Sequence, residues 1–235
     1  MAKLVKFKFL GTRANIEESS KKHKYRSSFL IEYKKTKLLF DYGTLHKKNL
    51  EKIKPDAVLI THAHPDHYSW TEENIATNVP VYLTKETFKY GKFKPQNFKI
   101  IKPNKKFKIK KFTILPYRVL HSIRCPAVGF KIFADKKNII YTGDLADIVN
   151  KDKILNDADY YIGDGSCIRA NLVRKKDNVI IGHARITTQI NWCKKHKIKN
   201  IIFTHLGKET IKKEKQFKKQ HQEIIFAYDG FAKEI

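Results

Sequence analysis

The chain has 235 residues, 41% of them hydrophobic, which is enough to bury one sizeable core and argues for a single domain over residues 1–235. Lys and Arg number 49 against 23 Asp and Glu, a formal net charge of +26, a field that attracts polyanions. The three cysteines Cys125, Cys167 and Cys193 are odd in number and far apart, which excludes a disulfide scaffold, and no apolar run approaches the ~20 residues needed to cross a bilayer.

Taken in chain order, short apolar or alternating runs predict strands at 3–11, 28–34, 37–43 and 56–63. Between the fourth of these and the next group lies HAHPDH, followed by a stretch that reads as a helix. Further strands are expected at 112–122, 128–134, 138–144, 159–165, 178–184, 200–206 and 224–230. Helices are expected over 147–156, 186–196 and 208–222, the last so rich in Lys that most of it must face water. No repeat, low-complexity tail or Ser/Gly linker interrupts the series. The N-terminal MAKLVKFKFLG alternates Lys with apolar residues and lacks a signal-peptide core, so the chain is read as cytoplasmic, with no membrane partner.

The polar residues are placed regularly, because run after run ends in a ligand-type group: His62, His121, Asp144, His183 and His205. Strand ends in layered α/β proteins open onto loops that a rigid scaffold aims at one place. Imidazole and carboxylate are ligands that zinc and manganese accept, and His62 and His64, two apart, are spaced to converge on one ion while Asp66 and His67 turn toward a second. His23, His46, His196 and His221 stand alone and are read as ordinary core or surface residues. Asp41, closing an apolar strand, is expected to hold a ligand imidazole in place, with Asp56 a weaker candidate. Gly11, Gly43 and Gly143 suit tight turns, Trp70 is read as core beside the histidine loop, and Ser27 and Ser28 are left outside the site.

The HxHxDH pattern at His62, His64, Asp66 and His67 resembles the signature of the metallo-β-lactamase superfamily. The likeness extends through FLGT (Phe9–Thr12), LLFDYG (Leu38–Gly43), LHS ending at Ser122, YTGD ending at Asp144, FTHLG (Phe203–Gly207) and AYDG (Ala227–Gly230). The resemblance implies a four-layer αβ/βα sandwich with two mixed sheets and outer helices, carrying two divalent ions, zinc first, with manganese or iron as alternatives. It implies one ion on His62, His64 and His121, another on Asp66, His67 and His205, and Asp144 bridging. Within the superfamily, GHARITTQINWCKKHKIKNIIFTH (Gly182–His205) is most similar to ribonuclease Z and related phosphodiesterases. That likeness implies phosphodiester hydrolysis in which Asp66 orients or deprotonates the attacking water and His183 protonates the leaving oxygen. Asp164 stands where the family usually has the glutamate paired with that histidine.

Two departures argue against precursor-tRNA processing: no Gly- and Pro-rich arm is inserted, and LGKE follows His205 where a Phe-Ser-x-Arg-Tyr run is usual. Arginine is scarce, yet Arg13, Arg124, Arg169 and Arg185 lie beside the site motifs; Arg124 and Arg185 are expected to bind substrate phosphate, for which the planar guanidinium is suited. The expectation is a metal-dependent nuclease acting on RNA or DNA. A small-molecule hydrolase of a cyclic phosphodiester or thioester, and a nucleic-acid binder with a vestigial site, are the other classes; the protein partner left open is a second copy.

Overall fold

The computed structural model describes residues 4–235 and places two sheets face to face. The first runs, in spatial order, Ala232–Glu234, Lys6–Gly11, Ser28–Tyr33, Thr36–Phe40, Ala57–Leu59, Val81–Leu83 and Phe98–Ile100. The second runs Asp147–Ile148, Phe112–Leu120, Ala127–Ala134, Lys137–Tyr141, Tyr160–Asp164, Asn200–Thr204 and Ile224–Phe226, with Phe107–Ile109 joined to Phe112–Leu120. Both sheets are mixed: antiparallel hairpins at one side give way to parallel pairs where helices or loops cross over.

Aromatic side chains from both sheets fill the space between them. Phe29 touches Phe7 at 5.3 Å and Phe40 at 5.8 Å within its own sheet, and reaches Tyr141 of the other at 5.6 Å between ring centroids. The outer face of the second sheet is covered by Lys151–Leu155, Ile186–Lys195 and Lys208–Gln220, through Ile154, Ile190, Cys193 and Phe217. The outer face of the first is covered by shorter pieces that bury Leu50, Ile53 and Trp70. This is the four-layer αβ/βα sandwich, with a thin helical layer on one side.

Several local expectations change in the fold. The stretch after His67 forms only a single 3₁₀ turn, Ser69–Thr71, because the loop is pinned instead by Tyr42 and His64 backbone bonds. The helix expected over 147–156 is preceded by a two-residue strand and shortens to Lys151–Leu155. The run 178–184 joins neither large sheet: Val179–Ile181 pairs only with Arg174–Lys176 in an exposed hairpin. The short strands Val81–Leu83, Phe98–Ile100, Phe107–Ile109 and Ala232–Glu234 are not among those expected from the sequence. The first strand begins at Lys6; Lys3, where the sequence pattern starts, lies outside the described residues. No helix among the described residues is long and apolar enough to cross a membrane.

Candidate metal centre

The ends of Ala57–Leu59, Phe112–Leu120, Lys137–Tyr141, Tyr160–Asp164 and Asn200–Thr204 meet at one edge of the sandwich, and each carries a site residue into the loop that follows. The HAHPDH loop folds back on itself, His67 and Tyr68 both donating their amides to the His64 carbonyl at 2.9 Å. Tyr42 and Thr44 donate to the carbonyls of His67 and Pro65, so the two loops lie so close that a Cβ on Gly43 would meet the Asp66 oxygen at 1.9 Å. Gly143, at φ +59°, makes the turn that delivers Asp144; a Cβ there is strained and would press on the Thr61 side chain at 2.8 Å. Asp41 and His205 also hold positive φ (60° and 56°), a conformation that Asp and His enter more readily than most residues and that concentrates at functional sites.

Three imidazoles are aimed by hydrogen bonds at their outer nitrogens. His67 Nδ1 donates to Asp41 at 2.9 Å, His121 Nδ1 to the Gly182 carbonyl at 3.1 Å, and His62 Nδ1 to Thr61 Oγ1 at 3.0 Å. Asp41, completely buried, also accepts from Tyr141 OH at 2.8 Å and from the Thr61 amide and hydroxyl. These bonds fix the tautomers and leave the Nε2 lone pairs facing inward.

The inward groups form three sets whose ligand atoms lie within 4.8 Å of one another: first His62, His64, His121 and Asp144, second Asp66, His67 and His205, and third Asp144, Asp164, His183 and His205. In the first, His64 Nδ1 lies 3.0 Å from His62 Nε2 and 3.2 Å from His121 Nε2. In the second, His205 Nε2 is 3.1 Å from Asp66, while His67 Nε2 is 3.1 Å from Asp144 Oδ1. Asp144 faces both, its Oδ2 lying 3.6 Å from His62 and 3.7 Å from His121. His67 Nε2 and Asp144 Oδ1 are buried with no hydrogen-bond partner. Lone pairs crowded together in a dry site need a cation between them, so the donor set fits divalent metal ions held by nitrogen and oxygen.

A third cluster adjoins these. His183 Nδ1 donates to Asp164 Oδ2 at 2.7 Å, and Ser166 Oγ donates to Asp164 Oδ1 at 2.6 Å. The shorter Asp164 therefore does reach its histidine, and its second oxygen also lies 3.2 Å from His205 Nδ1. Gln189, from the helix Ile186–Lys195, bonds the Asp164 amide and carbonyl at 3.1 Å and 2.7 Å. Ser166, Gln189, Thr61 and Tyr141 escape sequence reading because their chemistry is ordinary until the fold brings them to the site.

Burial and charge set the titration of the metal-free site. Burial lowers His62 well below its usual value and takes His121 down to about 4. Burial alone would lower His205, but Asp144, Asp164 and Asp66 outweigh it and hold the ring up at about 10. Burial would raise Asp66, yet His67 and His205 bring it down to about 2. A histidine raised in the folded state stabilises the fold below its ordinary value of 6.5, and that stability is lost as pH rises through about 10. The melting temperature of chelator-treated protein should thus fall between these pH values. Metal-loaded protein, whose ligand imidazole is already deprotonated, should show no such fall. Scanning fluorimetry with EDTA or with Zn²⁺ reads both; a flat metal-free profile would refute the electrostatic account.

A cavity of about 580 Å³ opens onto these groups, with His64, Asp66, Asp144, His183 and His205 on its floor. Its walls are mainly apolar, from Ile16, Pro65, Ala170 and Leu172. Glu209 holds one wall by accepting the amides of Ile168, Arg169 and Ala170, each at 3.0 Å. The arginines behave differently from the histidines. Arg124 and Arg185 are exposed and do not line the cavity, and Arg13 is buried with its guanidinium donating to the carbonyls of Ile16 and Glu17 at 3.1 and 3.0 Å. Asp56 is remote too, accepting from the Lys37 amide and pairing with Lys110. Trp70 is wholly buried, His23 bonds Thr12 and Glu214, and the three cysteines are free and buried.

Residues 23–161, more than half of the chain, match the model for the β-lactamase superfamily domain, and the chain belongs to that family of metal-dependent hydrolases. Its fold is shared with the metallo-β-lactamase fold protein YhfI of Bacillus subtilis, with a TM-score of 0.75 and 18% identity over 99% of this chain and 100% of that one. A diphosphatase of the PhnP family aligns with a TM-score of 0.74 and 17% identity over 98% of each chain. The short form of human tRNase Z aligns at 0.70 and 18% identity, over 97% of this chain and 98% of that one. At such identities the likeness is one of fold. No curated protein matches the sequence.

Proposed function

We propose that the chain is a metal-dependent phosphodiesterase that hydrolyses RNA or DNA, with two divalent ions, zinc first and manganese or iron as alternatives. The single observation that carries this reading is the His183–Asp164 pair, 2.7 Å apart, set beside the ligand clusters on the floor of the same cavity. Ions held by His62, His64, His121 and Asp144, and by Asp66, His67 and His205, would polarise a phosphoryl oxygen and acidify a water. Asp66, on the floor of the cavity beside His67 and His205, would hold or accept the water's proton. Asp164 and Ser166 hold the His183 ring at Nδ1, leaving Nε2 to donate a proton to the departing oxygen. Asp164 also raises the pKa of His183 against the opposing effect of burial, which keeps that proton available near neutrality. Arg124 and Arg185, outside the cavity, are assigned to flanking phosphates.

The mainly apolar walls and the volume of about 580 Å³ favour a second reading, a hydrolase of a small phosphodiester or thioester. End-labelled RNA and DNA incubated with the Mn²⁺- or Zn²⁺-loaded protein separate the two. Cleavage of a polymer that vanishes in Asp66→Ala supports the nuclease. Turnover of a chromogenic phosphodiester alone, with no polymer product, refutes it in favour of the small substrate.

A further inference from the structure

We infer that a groove away from the catalytic cavity, between the open margins of the two sheets, holds the backbone of a single-stranded nucleic acid; this rests on the nuclease reading above. Five exposed lysines, Lys99, Lys102, Lys105, Lys106 and Lys108, line a groove of about 510 Å³ to which no Asp or Glu contributes. Some lysines elsewhere pair with acids, as Lys195 does with Asp152 at 2.8 Å and Lys213 with Glu209 at 3.0 Å; many other described lysines have no carboxylate partner, and what sets these five apart is that one groove gathers them. Among the described residues, none of the five has a carboxylate within ion-pair distance. Five lysines along one groove, with Lys99 over the Tyr82 ring at 5.5 Å and Lys106 over the Phe133 ring at 4.8 Å, give it a positive potential that a polyphosphate neutralises while releasing its counterions.

The groove also offers apolar and aromatic surface, which separates a single strand from a simple polyanion. Tyr82 and Phe107 stack with centroids 5.3 Å apart and rings 6° from parallel, tying the first sheet to the strand Phe107–Ile109. Beside them Phe98–Ile100 is the last strand of its sheet; Lys99 and Ile100 line the groove, Ile100 42% exposed, while Phe98 lies outside the lining, stacked on Phe88 at 4.3 Å. An apolar edge strand is a liability unless something covers it. Lysines set beside Ile100 and the half-buried Phe107 suit a chain whose phosphates take the charges and whose unpaired bases lie on the apolar atoms. A duplex, with its bases stacked inside, would use the charges alone.

The test compares wild type with a variant carrying Lys99→Gln, Lys102→Gln, Lys105→Gln and Lys108→Gln, and with a charge-matched control carrying Lys197→Gln, Lys199→Gln, Lys215→Gln and Lys219→Gln. Affinity for labelled oligo(U) and oligo(dT) is measured against salt, beside hydrolysis of bis(p-nitrophenyl) phosphate. The groove variant should bind about tenfold or more weakly, with its log–log salt slope reduced by about 3, while the control changes little and small-substrate hydrolysis stays within about twofold. Equal losses in both variants would make the effect one of bulk charge and overturn the groove. Wild type that cleaves polymer and a groove variant that binds it unchanged would overturn the groove alone. Wild type that neither binds nor cleaves polymer would overturn the nuclease reading and the groove with it. Loss of binding to phosphatidylglycerol vesicles but not to oligonucleotides would reassign the groove to a membrane surface.

Discussion

Replacing His183 with Ala should lower hydrolysis of a dinucleotide by about 10²–10⁴-fold, the usual contribution of a positioned general acid, while leaving the bound metal unchanged. The expectation follows from geometry: His183 is 24% exposed at its side chain, bonded through Nδ1 to Asp164 and Ser166, and grouped with Asp144 and His205 only through its own partner Asp164, apart from the set formed by His62, His64, His121 and Asp144. A substrate that expels p-nitrophenolate needs no such proton, so its turnover should fall far less. The comparison of kcat on the two substrates is the decisive measurement. Equal losses on both, or a parallel loss of metal, would mean that His183 serves the metal centre and not the leaving group.

Asp144→Ala should have the larger consequence, because this one carboxylate faces both ligand sets and its Oδ1 is buried without a hydrogen-bond partner. Removing it should lower metal content measured by elemental analysis. It should also reduce hydrolysis of every substrate by about 10³-fold or more, since divalent ions held there would supply several kcal/mol to the transition state. The stabilisation that added metal gives the wild type should shrink alongside. Asp56→Ala is the matched control: that carboxylate bonds Lys37 and Lys110, outside every ligand set, so metal content and rate should be kept. Full metal stoichiometry and normal rates in Asp144→Ala would refute the bridging assignment.

The behaviour of individual residues shows where sequence suffices. His62, His64, Asp66 and His67 lie within six positions, so the short loop after one strand already brings their chemistry together. Asp41 was readable for a different reason. A charge closing an apolar strand must find a partner, and it finds three in Thr61, His67 and Tyr141. The arginines mark the opposite limit: nearness in sequence to a site motif did not carry Arg13 into the cavity, because its donors were needed by the carbonyls of the loop that follows it. Val179–Ile181 reads as a core strand by its apolar run, yet stays largely exposed, paired only with Arg174–Lys176 in a hairpin.

By itself, then, the sequence determined the ligand types, the strand ends that carry them and the layered class of the fold, since all three depend on short-range periodicity and on the chemistry of side chains a few residues apart. Only the tertiary structure decided that Asp164 touches His183 and His205 together, that Ser166 and Gln189 brace it, and that lysines of two separate strands share one groove. Those juxtapositions join residues tens of positions apart. They are fixed by the order and register of strands in two sheets, which the packing of the whole core selects and no local window contains.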